Sequence, residues 1–106
     1  MRQFSPVELR DYLQQTDTPP LLLDVREPWE FQRCHIEGSR LLPMGQIPSA
    51  TGELDPGIET VVICHHGVRS RQVAWFLERT GFTNVINLTG GIDAWARDVD
   101  PAMPTY

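Results

Sequence analysis

With 106 residues, 41% of them apolar and 22% charged, the chain is long enough for one hydrophobic core and too short for two ordinary domains. Its net charge is −5, and all nine cations are arginines with no basic cluster among them, which argues against a nucleic-acid partner. No apolar run approaches the ~18 residues of a membrane helix, and the start, MRQFSPVELRDY, has no apolar signal segment. No membrane role is therefore expected, and a cytoplasmic location with reduced thiols is favoured. Two cysteines, Cys34 and Cys64, do not make a disulfide scaffold.

Ser5-Pro6-Val7-Glu8 reads as a capping box: serine at the N-cap, proline at the first helical position, glutamate three residues on. It predicts a helix over about 6–15 whose apolar face is Val7, Tyr12 and Leu13, with Leu9 less well placed. Thr16–Pro20 breaks it. The apolar run Leu21–Val25, interrupted only by Asp24, suits a strand covered on both faces. Pro28 opens a short helix through Trp29, Phe31 and Gln32, Gly38 ends that segment, and Arg40–Leu42 is a further short strand. Residues 43–57, rich in proline and glycine, predict a long loop with one helical turn.

Thr60–Ile63 is β-branched and unbroken, the clearest strand of the chain. A helix beginning at Arg69 or Ser70 and running to Thr80 carries Val73, Trp75, Phe76 and Leu77 on its inner side, with Gly81 as its C-cap. Val85–Leu88 is a fourth strand, and Gly90-Gly91 leads into a last helix bearing Ile92, Trp95 and Ala96. Buried strands alternating with helices indicate one α/β domain over 1–106, with a mainly parallel sheet and helices on both faces. Met103 and Tyr106 are expected to fold the tail back onto it. Trp29, Trp75 and Trp95 read as packing residues, with Trp29 a candidate to line an entrance.

Chemistry concentrates in ICHHGVRS, residues 63–70. In a parallel α/β sheet, ligands gather at the carboxyl ends of strands, where Cys64 falls. Amides of the following turn and the helix N-terminus beyond it stabilise an anion, so the cysteine is expected as a thiolate more often than the free residue. Gly67 lets the tight loop take a positive φ. A buried inert thiol fits poorly with neighbours such as His65, His66 and Arg69. A metal site fits poorly because consecutive side chains in extended chain point apart and the usual ligand spacings are absent. A Cys–His protease pair lacks the third, orienting group and room for a peptide cleft. An anion-binding catalytic loop remains. C-x₅-R suits a tetrahedral phosphate, whereas Cys64 to Arg69 is C-x₄-R, one residue shorter and better sized for a single terminal sulfur on the cysteine.

The sequence resembles the rhodanese family of the small single-domain kind along nearly its whole length. Asp24–Phe31 is similar to the family's D-V-R-E-x-x-E-[FY], and His35–Gly38 to H-I-x-G. Cys64–Ser70 is similar to C-x-x-G-x-R-S, and Leu88–Trp95 to L-x-G-G-x-x-A-W. The resemblance implies a sulfurtransferase that needs no cofactor. Cys64 would take sulfur from a donor such as thiosulfate and pass it to cyanide, a thiol or a sulfur-acceptor protein. It implies further that His65, His66, Gly67, Val68 and Arg69 form the loop around the persulfide, and that Asp24 and Arg26 support it. Arg69 has two readings, steering an anionic donor or pairing with Asp24 or Glu27. His65 is either a partial charge at the entrance or, like His66, an exposed polar residue. His35 reads as a structural histidine bonded to the turn before the third strand. Cys34 stands where the family has glycine. A resolving disulfide with Cys64 is disfavoured, because the helix after Glu27 runs back towards the opposite edge of the sheet. The stretch 93–101 resembles rhodanese domains attached to enzymes that activate sulfur-carrier proteins, although 106 residues leave no room for a second such domain. A phosphatase or arsenate reductase using the same loop is the alternative enzyme class.

Overall fold

The capping box at the start of the chain forms as its spelling requires. In the computed structural model, which describes all of Met1–Tyr106, Ser5 Oγ accepts from the Glu8 amide (3.1 Å) and Glu8 Oε1 accepts from the Ser5 amide (2.9 Å). They start helix α1 (Pro6–Gln15). Strand β2 (Leu21–Asp24), helix α2 (Pro28–Arg33) and strand β3 (Arg40–Leu41) follow. The predicted long loop contains a short helix, α3 (Ile47–Ala50), between two 3₁₀ turns. Strand β4 (Thr60–Ile63), helix α4 (Val68–Arg79), strand β5 (Val85–Leu88) and helix α5 (Gly91–Asp98) complete the chain.

The sheet has five parallel strands in the order β1-β5-β4-β2-β3, not the four that the sequence predicts. The additional strand, β1 (Arg2–Phe4), pairs with Ile86–Leu88 at an edge. It carries neither an apolar run nor a β-branched residue, and only its pairing with β5 makes it a strand. β4 is central and buried along its whole length, as its composition requires.

Alternation along the strands divides the core in two. Leu22, Val61, Ile63, Ile86 and Leu88 face Leu9 of α1 and Ile92 and Trp95 of α5. Leu23, Val62 and Val85 face Ile47 of α3 and Val73, Ala74 and Leu77 of α4. Helices therefore cover both faces, as expected. Two side-chain expectations reverse: Leu9 is fully buried while Val7 is exposed, since 6–15 turns positions 9 and 13, not 7, towards the sheet. Trp75 also lies outside the core, 57% exposed, with the Arg79 guanidinium 4.6 Å from its ring centroid. No helix is long and apolar enough to cross a membrane.

Candidate active site

β4 ends at Ile63, and the chain turns at once into the loop 64–67 before α4 begins at Val68, one or two residues earlier than the sequence suggests. Cys64 is 1% exposed. Its Sγ accepts from the Gly67 amide at 3.0 Å, and its thiol lies 3.4 Å from Ser70 Oγ as a donor. Ser70 donates in turn to Asn87 Oδ1, and Asn87 Nδ2 donates to Gln3 Oε1 at 2.8 Å, so a polar chain, buried as far as Asn87, runs from the sulfur to the exposed Gln3 of β1. Gly67 caps α4 with φ of 97° and no side-chain cap bond, which leaves the helix's positive end facing the sulfur. On the other side, the carbonyls of Cys64 and His65 accept from the amides of Ile92 (2.8 Å) and Asp93 (3.0 Å) in the first turn of α5. With both carbonyls held by α5, the loop keeps an amide directed at the sulfur. A polar cleft of about 330 Å³ opens beside it, lined among others by His66, Gly67, Val68 and Arg71.

Of the two readings of Arg69, pairing is the one observed, with Glu30 as the partner rather than Asp24 or Glu27. Nη1 and Nη2 donate to the two carboxylate oxygens at 2.7 and 2.9 Å. The bidentate contact fixes the guanidinium plane and neutralises the charge. Glu30 is held at a pKa of about 2, first by Arg69, with burial opposing and the Glu27 backbone and Tyr106 assisting. The Arg69 pKa is raised by the same bond. The Tyr106 hydroxyl donates to Glu30 Oε2 (2.8 Å) and accepts from Arg26 Nη1 (2.8 Å). Burial, with Glu30 adding to it, pushes the Tyr106 pKa up to about 12. Arg26 and Asp24 are both fully buried, joined by Nη2–Oδ2 at 2.8 Å and Nε–Oδ1 at 2.9 Å. Burial is the largest influence and works against the Arg26 charge, but the bonds to Asp24 and Tyr106 and their charges together outweigh it and raise the pKa.

The depressed Glu30 pKa has a sign. Above the ordinary carboxylate value of 4.5 the pair contributes fully, and the contribution is lost as pH falls from there towards 2. Glu30→Gln should therefore cost on the order of 2 kcal/mol at pH 7 and flatten the acid limb of a urea-midpoint titration between those values. An unchanged acid limb would show that the pair does not contribute.

Of the predicted loop residues His65, His66, Gly67, Val68 and Arg69, which follow Cys64 into the first turn of α4, Gly67 is the one that bonds its sulfur. Asp24 and Arg26 lie at the end of the neighbouring β2 and reach the loop indirectly, through Tyr106, Glu30 and Arg69. The expectation that His65 and His66 point apart does not hold. Their rings stack at 3.9 Å, and His65 stacks on Tyr106 at the same distance from its other side. Burial and the neighbouring His66 lower the His65 pKa, which works against a charge at the entrance. Trp29, 61% exposed, sets its edge against Tyr106 and extends this aromatic strip. His35 bonds the Phe31 carbonyl in α2 (2.8 Å) rather than the turn before β3. Cys34 and Cys64 are free and belong to the two cores on opposite sides of the sheet, so no disulfide joins them.

Glu30, Ser70, Asn87, Gly91 and Tyr106 escape the sequence reading as site residues. Asn87 had a signal: a polar residue inside Val85-Ile86-Asn87-Leu88, where a buried strand calls for an apolar one.

The rhodanese-like domain family model matches residues 5–98. The probable adenylyltransferase/sulfurtransferase MoeZ of Mycobacterium tuberculosis is 38% identical over 104 residues, covering 96% of this chain and 26% of that protein. A sulfurtransferase of Allochromatium vinosum is 40% identical over 77 residues, covering 73% of this chain and 72% of that one. The crystal structure of a rhodanese-like domain protein from Staphylococcus aureus superposes with a TM-score of 0.83 at 30% identity, covering 90% of this chain and 91% of that one. The chain spans about a quarter of the length of the longer relatives it matches.

Proposed function

The chain belongs to the rhodanese-like domain family, and from that premise we propose that it is a sulfurtransferase carrying sulfane sulfur as a persulfide on Cys64. The observation that supports this most is the Gly67 amide aimed at Sγ from 3.0 Å, at the positive end of a twelve-residue helix. Relatives named as sulfurtransferases or as a sulfur carrier agree with it.

In the first half-reaction the Cys64 thiolate attacks the outer sulfur of thiosulfate. A new S–S bond forms, the old sulfur–sulfur bond breaks, and sulfite leaves with the electron pair. In the second, cyanide or a thiolate attacks the terminal sulfur, thiocyanate or a new persulfide departs, and the Cys64 thiolate returns. The loop amides hold the negative charge in both resting forms. Arg69, engaged by Glu30, positions the loop instead of steering the donor. The reaction requires no cofactor, and the cytoplasm supplies the reduced thiols it uses.

A protein acceptor is a second reading. Val68, largely exposed, lines the cleft, Trp29, also largely exposed, packs on Tyr106, and MoeZ joins sulfurtransferase and adenylyltransferase in its name. A phosphatase or arsenate reductase is disfavoured by the short loop.

Initial-rate kinetics with thiosulfate and cyanide test the proposal. The double displacement predicts parallel double-reciprocal lines, and Cys64→Ser should lower kcat/KM by at least about a thousandfold. Intersecting lines, or turnover of an aryl phosphate without sulfur transfer, would count against it.

A further inference from the structure

Structural histidines ordinarily engage a ring nitrogen, as His35 does with the Phe31 carbonyl. His65 and His66 do not: no ring nitrogen of either makes a hydrogen bond within the protein, although His65 is partly buried in the stack between Tyr106 and His66. The Asp93 carboxylate lies beside them with only a long contact, 3.7 Å, to Arg97, whose Nε is engaged by Asp98 at 3.1 Å. One donor atom from each of His65, His66 and Asp93 falls within 4.8 Å of the others. Three groups without a close partner thus bring their donor atoms together at the edge of the Cys64 loop.

We propose that His65, His66 and Asp93 form a binding site for a divalent transition-metal ion of the zinc class. Two imidazoles and one carboxylate suit Zn²⁺ and its neighbours and disfavour Mg²⁺ and Ca²⁺, which take oxygen ligands. Three protein ligands leave a fourth position open, so the ion holds a water and exchanges. A tetrahedral ion with bonds near 2.0–2.1 Å sets its donor atoms about 3.4 Å apart. Closing to that spacing from within 4.8 Å brings the donor atoms up to about 1.4 Å nearer and turns the two imidazoles out of their stack so that both lone pairs meet the ion, while the backbone frame is already held by the Asp93 amide bonded to the His65 carbonyl. The ion would join the loop to α5 directly next to Cys64.

Thiols bind zinc on their own account, so the test uses Cys64→Ser, which also makes it independent of any sulfur chemistry. Native mass spectrometry and calorimetry with ZnCl₂ alone, without chelating buffer, should find one ion per chain. Asp93→Asn and His66→Asn, made in the Cys64→Ser background at partly exposed and exposed positions, should each weaken binding at least about tenfold. Zinc should raise the Tm of Cys64→Ser and leave that of the Asp93→Asn derivative nearly unchanged. The proposal is overturned if Cys64→Ser takes up no zinc, or if both further variants bind it as tightly as Cys64→Ser does.

Discussion

Gly91→Ala should destabilise the domain by about 3–5 kcal/mol, combining left-handed strain with overpacking, and should disorder the Cys64 loop. Gly91 has φ of 60°, and a Cβ there would overlap the carbonyl oxygens of Cys64 and His65. These are backbone atoms, and both are already engaged by amides of α5. No rotamer change relieves the overlap; either α5 or the loop must move. Gly81→Ala isolates the two effects. Gly81 is also left-handed, at φ of 107°, but nothing lies within 4 Å of its would-be Cβ, so only the conformational cost of roughly 1–2 kcal/mol remains. Urea unfolding of the two variants checks the expectation, read from midpoints at constant slope. Equal losses would mean that the approach of α5 to the loop does not constrain the site.

Asp24→Ala should be of similar severity for an electrostatic reason. Asp24 accepts from the Arg26 amide at 3.1 Å as well as from its guanidinium, and neither residue has solvent access. Removing the carboxylate strands a charge in the core, for which about 3–5 kcal/mol is typical. For a domain of this size that corresponds to a fall in Tm on the order of 15 °C or more. The double variant Asp24→Leu/Arg26→Met should recover much of the loss, because an apolar pair of similar volume carries no desolvation penalty. A loss below about 1 kcal/mol for Asp24→Ala alone would contradict the buried-pair account.

Much of this architecture was legible in the sequence because local signals and burial agree. Ser5, Pro6 and Glu8 spell a capping box that forms, and the β-branched run at 60–63 is the central strand. Cys64 at a strand end followed by Gly67 placed the loop correctly. Other features depend on partners far away in the chain. Arg2–Phe4 becomes a strand only through its pairing with β5, and Leu9 and Val7 exchange roles through the angle at which α1 meets the sheet. Arg69 pairs with Glu30 rather than with Asp24 or Glu27 because a turn of α2 presents Glu30 to it, a choice among three nearby acids that spacing alone does not make. Tyr106 reaches both Glu30 and Arg26 across some eighty positions, which no local pattern encodes. The histidine stack fails the expectation for extended chain because the loop is a turn, in which successive side chains can share a side.

The central claim is that Cys64 holds transferable sulfur. The most direct measurement is the intact mass of the reduced protein after incubation with thiosulfate and removal of excess donor. The account predicts a gain of one sulfur atom, absent in Cys64→Ser and lost from the native protein when cyanide is added. No adduct on the folded protein, or an adduct that persists in Cys64→Ser, would contradict it.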